Sequence, residues 1–269
     1  RERLRNCPIW PAADGTLQPL NNLYLLADFK DPLKLARLID VAALGGKAEF
    51  LERHLGVKRL GFVTYVRDFL PSALANGQLT TEQQKQLLIV LAENLGKLHG
   101  REDLRQLLSG LNLVWCGNDR FLPAKQVYFD TEIVRVLFGK EYLVARFPDG
   151  AQETVKPLYE WLGVLTKPLP EHLLRRIQEI VTKPPDDQGR AAIQKIFEYI
   201  AVNWDNWEDF KELQTLAWLP GSKERSQWHS PSEVYTTFRN YLFESQGNFL
   251  DIDRQIQQQA NDFAKFLGI

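Results

Sequence analysis

Three charged residues fit a loose pattern that some metal-dependent nucleases use. Asp186 follows a proline, and Asp209 stands two residues before Lys211. Such chemistry needs the second acid and the lysine on a strand, where they converge with the first acid on a metal ion. Here the segment around Asp209 has a helical pattern, and Asp186 is placed to cap a helix. We therefore favour capping and keep a divergent metal-dependent nuclease as an alternative.

The other residues able to do chemistry have no partners at the required spacing. No Walker A loop, dinucleotide-binding glycine pattern or GxSxG motif occurs. Asp251 and Asp253 could bind a metal, but they stand where a helix cap and a first-turn acid belong. The four histidines share no metal-ligand spacing: His54, His99, His172 and His229. We expect no catalytic residue, no cofactor and no metal site.

Basic residues offer a second alternative, a nucleic-acid-associated module of a bacterial defence or repair protein. Lys58 and Arg59 could contact phosphates in the first third of the chain, which carries a small basic excess. The formal net charge of the whole chain is −1, so it provides no strong field for a polyanion. Nucleic acid is therefore not the favoured partner.

Composition predicts a folded protein of the cytoplasm. Apolar residues make up 44% of the 269 residues, enough for a core. The only cysteines are Cys7 and Cys116, which fits a reducing compartment. No apolar stretch is long enough to cross a membrane. The sequence already has the pattern of an ordered element at Arg1, so we expect a piece of a longer protein.

One signature occurs three times. "NCPIWPAADGTLQPLNNLYL" (6–25), "GLNLVWCGNDRFLPAKQVYF" (110–129) and "LQTLAWLPGSKERSQWHSPSEVYTTF" (213–238) each place a tryptophan before a turn, a proline and a tyrosine. A Leu-Gly-aliphatic step keeps the same period of about 105 residues. We name the predicted repeats copy 1 (1–109), copy 2 (110–215) and the truncated copy 3 (216–269). The landmark residues are Trp10, Trp115 and Trp218; Tyr24, Tyr128 and Tyr235; and Gly56, Gly163 and Gly268.

The signature predicts a short hairpin at the start of each copy. Asp14-Gly15 readily adopts the backbone of a tight turn between two apolar runs. Asn118-Asp119 stands in the equivalent place in copy 2, and Gly221-Ser222 in copy 3. Copy 3 departs from the pattern, because "PGSKERSQWHS" replaces the compact turn. A proline follows each second strand, since proline cannot donate to an interior ladder.

Helices are predicted after each hairpin. Residues 31–44 have helical spacing, with Asp31 as the cap and Pro32 at the first position. Gly56 and Gly163 are natural helix stops. Helical patterns at 61–74 and 80–98 match those at 168–181 and 186–204. We predict an α+β, mainly helical fold of tandem repeats, each a short β-hairpin followed by several helices.

With the repeat laid out, the signature resembles the internal repeats of sacsin-like proteins. The resemblance rests on "PIWPAADGTLQPLNNLYL" and on the pairing of "FLERHLGV" or "PLYEWLGV" with a following helix such as "LPEHLLRRIQEI". It implies a parent protein in which a GHKL-type ATPase domain precedes long repeat regions that handle client proteins. No nucleotide-binding residues of that ATPase occur here. We expect a non-catalytic scaffold whose partners are protein clients or other domains of the parent chain.

Overall fold

The chain folds into helices and three small antiparallel hairpins, which confirms the α+β, mainly helical prediction. The computed structural model describes residues 2–25, 29, 31, 33–75, 77, 79–139, 143–237 and 247–269. Within them the α-helices are α1 Glu2–Asn6, α2 Ala48–Leu55, α3 Phe62–Asp68, α4 Leu70–Ala75, α5 Thr81–Glu93, α6 Glu102–Ser109, α7 Glu132–Phe138, α8 Gln152–Leu162, α9 Pro170–Val181, α10 Asp187–Asn203, α11 Arg254–Gln259 and α12 Asn261–Leu267. The 3-10 helices are Leu20–Asn22, Leu95–Lys97, Ala124–Gln126, Glu208–Gln214 and Pro231–Glu233.

Each hairpin pairs two residues with two. In the first hairpin, β1 Trp10–Pro11 pairs with β2 Leu17–Gln18. In the second hairpin, β3 Val114–Trp115 pairs with β4 Phe121–Leu122. In the third, β5 Leu219–Pro220 pairs with β6 Trp228–His229. A 3-10 turn follows every second strand and leads the chain to the signature tyrosine.

The two longest predicted helices begin at the expected caps. Thr80 accepts a hydrogen bond from the Gln83 backbone N–H (3.3 Å), and the Gln83 side chain accepts from the Thr80 N–H (2.9 Å). This capping box satisfies two of the donors that a helix start leaves unpaired. Asp186 accepts from the Gly189 N–H at 2.6 Å and so caps α10. The predicted helix 61–74 is divided at Phe69 into α3 and α4.

The predicted helix at 31–44 is wrong. Asp31 accepts backbone N–H groups from Leu33 and Ala36, but a turn follows instead of a helix. Lys34 has a φ of 50°, which an α-helix excludes. Residues 37–39 then run extended, because they pair with Tyr24 and Ala12. Long-range sheet pairing therefore overrides the local helical pattern, and Pro32 lies outside the described residues.

The chain forms two compact units that do not coincide with the sequence copies. The first comprises Arg1–Phe129 and Leu143–Leu165, and the second comprises Asp130–Tyr142 and Thr166–Ile269. In the first unit, Leu87 of α5 and Leu104 of α6 share a buried cluster with Val114 of β3 and Leu158 of α8. The helices of copy 1 thus share a core with the hairpin and first long helix of copy 2. A smaller cluster lies beneath the first hairpin.

None of the described helices is long and apolar enough to cross a membrane.

Candidate functional site

The three signature tyrosines make the same backbone contacts. Each tyrosine N–H donates to a carbonyl of a later segment, and its C=O accepts an N–H two residues further along that segment. The two distances are 2.9 and 2.9 Å at Tyr24, 3.0 and 2.8 Å at Tyr128, and 3.1 and 2.9 Å at Tyr235. The partner segments are residues 37–39, 143–145 and 248–250. These tyrosines therefore mark an architectural position, where a parallel bridge joins the later segment to the hairpin.

The three signature tryptophans do not occupy equivalent positions in the three hairpins. In each hairpin, the segment that pairs with the signature tyrosine also donates a backbone N–H to a carbonyl of the first strand. The accepting residues are Pro11, Trp115 and Pro220, so these three residues are structurally equivalent. Trp10 stands one residue before that position, and Trp218 stands two before it. Trp115 is half-buried, whereas Trp218 is fully buried and donates from Nε1 to the Leu213 carbonyl at 3.1 Å. The tryptophan spacing and the structural register therefore differ.

The turn residues also differ among the hairpins. Gly15 has a φ of 79°, and Asp14 accepts both the backbone N–H and the hydroxyl of Thr16, which lowers the pKa of Asp14. Asn118 and Asp119 both have positive φ in the second hairpin. Gly221 is not a turn residue, so the prediction for copy 3 needs correction: it follows β5 directly, and a longer loop leads to β6.

The signature glycines all end a helix in the left-handed conformation. Gly56, Gly163 and Gly268 have φ values of 64°, 91° and 89° and cap α2, α8 and α12. We call these three the Gly-capped helices. Each glycine N–H donates to a carbonyl of the helix it ends. The sequence pattern predicts this helix end at Gly56 and Gly163.

A polar side chain from an earlier helical segment donates a hydrogen bond to a backbone carbonyl at the end of each Gly-capped helix. Arg5 of α1 donates to the carbonyl of Gly56 at 3.5 Å. Arg105 of α6 donates to the carbonyl of Trp161 at 2.8 Å, and Gln214 donates to the carbonyl of Phe266 at 2.6 Å. These contacts satisfy carbonyls that a helix end leaves without partners.

A buried polar cluster holds the loop of the third hairpin. His229 is 2% exposed; its Nε2 lies 3.1 Å from the Glu224 carbonyl and its Nδ1 3.3 Å from the Asn248 amide nitrogen. This pairing fits the tautomer with its proton on Nε2. Gly221 fits because a Cβ there would lie 2.6 Å from Asn248 Oδ1.

Asp251 has a role that the sequence did not predict. Instead of capping a helix, it accepts hydrogen bonds at Oδ2 from Arg190 and Arg225, each at 2.9 Å. Arg190 also donates to the backbone carbonyl of Arg225. The cap of α11 is Asp253, which accepts the Gln255 N–H at 2.7 Å. The cluster thus joins α10 to the third hairpin.

No known family model, curated protein or solved structure matches this chain.

The candidate nuclease residues lie on helices. Asp186 caps α10, while Asp209 and Lys211 belong to the 3-10 helix Glu208–Gln214. The strand that the proposed chemistry requires at Asp209 and Lys211 is therefore not formed there. No group of three or more His, Cys, Asp or Glu side chains that could hold a metal occurs within the described part of the chain.

One of the two candidate phosphate-binding residues, Arg59, forms an ion pair within the chain. Arg59 makes a bidentate contact with Glu52 of α2, with N–O distances of 3.0 to 3.1 Å. The guanidinium holds the pKa of the Glu52 carboxyl below its usual value. Lys58 is exposed and lines a 240 Å³ cavity beside Gly56. The charge of Arg59 is thus shared with a neighbouring carboxylate.

Sequence reasoning missed the outward face of the Gly-capped helices. In α2 this face carries Phe50, Arg53 and His54, which line an open cavity of about 510 Å³. The Phe50 and His54 rings lie 5.0 Å apart, and Phe50 is half exposed. The signal was present, because a large aromatic residue stands one position before the buried Leu51.

Proposed function

We propose that this chain is a non-catalytic repeat scaffold that binds protein partners, as the interaction segment of a larger sacsin-like chaperone-type ATPase. In this proposal no reaction takes place on the chain itself. ATP hydrolysis belongs to another domain of the parent protein, and the partners are client proteins or other domains of that parent. The cytoplasm is the proposed compartment.

The observation that carries the proposal is a repeated core with changing surfaces. Five residues before the capping glycine, each Gly-capped helix has a buried apolar side chain: Leu51, Leu158 or Phe263. A stacked array of repeats needs the same buried apolar position in every repeat, because each repeat buries apolar surface against the next.

The outward positions of the same helices differ in chemistry. Six and three residues before the glycine stand Phe50 and Arg53 in α2, Pro157 and Glu160 in α8, and Asp262 and Lys265 in α12. All six are exposed. In α12 the two side chains form an ion pair of 2.8 Å, whereas α2 presents an aromatic ring. Exposed residues that differ while the core is repeated support recognition of different partners.

The test compares the partner sets that the immobilised chain captures from a cell lysate with and without nuclease treatment. The double variant Phe50→Ser and Arg53→Ser changes the α2 surface, and Glu153→Ser, exposed on α8, is the matched control. All variants should keep the parent circular dichroism spectrum. We expect the double variant to lose specific protein partners that the control retains. Unchanged capture by the double variant contradicts the proposal, and partners that disappear after nuclease treatment favour the nucleic-acid alternative.

A further inference from the structure

We propose that the face of the first hairpin is a docking surface for an amphipathic helix pair of the same type as α5 and α6. We call it the open stacking face and define it by Leu4, Ile9 and Leu17. This inference goes beyond the scaffold function, because it holds whether or not client proteins bind.

The open stacking face is apolar and accessible. Leu4 of α1, Ile9 before β1 and Leu17 of β2 are 58%, 53% and 59% exposed. In a two-stranded ladder the side chain of Ile9 points to the same side as those of Pro11 and Leu17, which are paired. Ile9 and Leu17 are thus two large aliphatic side chains exposed on one side of the first hairpin, and neighbouring exposed apolar side chains indicate an interaction site.

At the second and third hairpins the residues equivalent to Leu4 and Ile9 are buried, and those equivalent to Leu17, Phe121 and Trp228, are half-buried. Leu108 and Leu113 precede Trp115 by seven and two residues, just as Leu4 and Ile9 precede Pro11, the residue equivalent to Trp115. Both belong to the buried cluster of the first unit. At the third hairpin the equivalent residues, Leu213 and Trp218, have no exposed surface.

Preceding helices cover those equivalent faces. Against the second hairpin, Thr81 of α5 donates to Asp119 at 2.7 Å, and Lys85 lies over the Trp115 ring. Against the third hairpin, the Phe197 ring of α10 lies 6.1 Å from Trp218. In both cases the cover is a long amphipathic helix that begins at a polar cap and is followed by a shorter helical segment.

Helix α1 corresponds to the end of that shorter segment. Its Leu4 takes the place of Leu108 in α6, and its Arg5 contacts the end of α2 as Arg105 contacts the end of α8. The part of such a cover that α1 does not supply corresponds to a helix with the apolar spacing of α5, which buries Leu87, Leu88 and Leu91. This match defines the occupant as a helix pair of the repeat type.

The experiment adds a duplicate of residues 79–104 directly before Arg1 of the full chain. The duplicated segment then has the same register to the first hairpin as α5 and α6 have to the second hairpin. Burial of the three aliphatic side chains should raise the midpoint of thermal unfolding by about 5 °C. Ile9→Ser and Leu17→Ser should barely change the midpoint of the unmodified chain but lower that of the extended chain by several degrees. Val202→Ser, exposed on α10, is the matched control and should affect both chains equally.

Two results overturn the proposal. In the first, the extended chain has the same unfolding midpoint as the unmodified chain, and Ile9→Ser and Leu17→Ser lower the midpoints of both chains equally. The other is a dimer of the unmodified chain, measured by sedimentation equilibrium, that these two substitutions dissociate. That dimer would assign the open stacking face to a second copy of the chain.

Discussion

The ammonium nitrogen of Lys85 lies 4.3 Å from the centroid of the Trp115 ring. Lys85 belongs to α5 of copy 1, and Trp115 belongs to β3 of copy 2. The lysine side chain is 19% exposed, and its ammonium group lies over the aromatic face while it also pairs with Glu82 at 2.8 Å. One contact thus joins the helices of one copy to the hairpin of the next.

The Lys85–Trp115 contact should appear as an energetic coupling. We expect a double-mutant cycle with Lys85→Ala and Trp115→Leu to give a coupling of about 0.5–1 kcal/mol, because a partly desolvated cation lies over the ring. Urea unfolding of the four proteins measures it. Strictly additive effects would mean that the two side chains do not interact in solution.

The left-handed caps should tolerate no side chain. Gly163→Ala places a Cβ at a φ of 91° and should cost about 1–2 kcal/mol of unfolding free energy. Gly96→Ala is the control, because Gly96 has no neighbour within 4 Å of the added Cβ and no positive φ. It should be neutral or stabilise by about 0.4–1 kcal/mol. Equal effects at both positions would contradict the cap assignment.

Close approach should make Gly221 equally restrictive for a different reason. A Cβ there would lie 2.6 Å from Asn248 and 2.7 Å from His229, so Gly221→Ala should cost about 1–3 kcal/mol. Ser226→Ala, exposed in the same loop, should change the stability by less than about 0.5 kcal/mol. Denaturant titration compares them. A neutral Gly221→Ala would show that the loop packs differently.

The two cysteines should differ in reactivity. Burial raises the pKa of the Cys116 thiol to about 11, so little of it is thiolate near neutral pH. Because the thiolate is the reactive form, alkylation of Cys116 by iodoacetamide at pH 8 should be about 100-fold slower than in the unfolded chain. Cys7 is exposed and should react readily. Mass spectrometry of timed samples distinguishes the sites, and fast labelling of Cys116 would contradict its burial.

The candidate nuclease residues should affect stability but not catalysis. Asp186→Ala removes the α10 cap and should cost about 1 kcal/mol. Asp209→Ala changes an exposed residue and should cost less than about 0.5 kcal/mol. Magnesium-dependent cleavage of DNA and RNA is assayed in parallel. Cleavage by the parent chain that Asp209→Ala abolishes would support the nuclease alternative.

Local signals in the sequence predicted the helix ends well. Gly56 and Gly163 end helices because few other residues adopt the left-handed conformation, and Thr80 and Asp186 cap helices through contacts within three residues. Such contacts depend only on nearby residues, so a sequence pattern can reveal them.

Long-range pairing decided what the sequence could not predict. The segment around Ile39 has a helical pattern but is extended, because it pairs with the first hairpin and with Tyr24. The pairing of His229 with Asn248 and that of Asp251 with Arg225 form only when residues 19 and 26 apart in the sequence meet around the third hairpin. The tryptophan landmarks misled because similar residues at similar spacing can stand in different registers.

The unfolding of two fragments tests most directly whether neighbouring copies share a core. One is residues 1–165 with 130–142 replaced by a Gly-Ser linker of the same length, which retains the first compact unit. The other is residues 1–109, which lacks the second hairpin and α8. We predict a single cooperative thermal transition for the first and no cooperative transition for the second, because α5 and α6 lose their buried partners. Cooperative unfolding of 1–109 at the midpoint of the longer fragment would contradict the shared core.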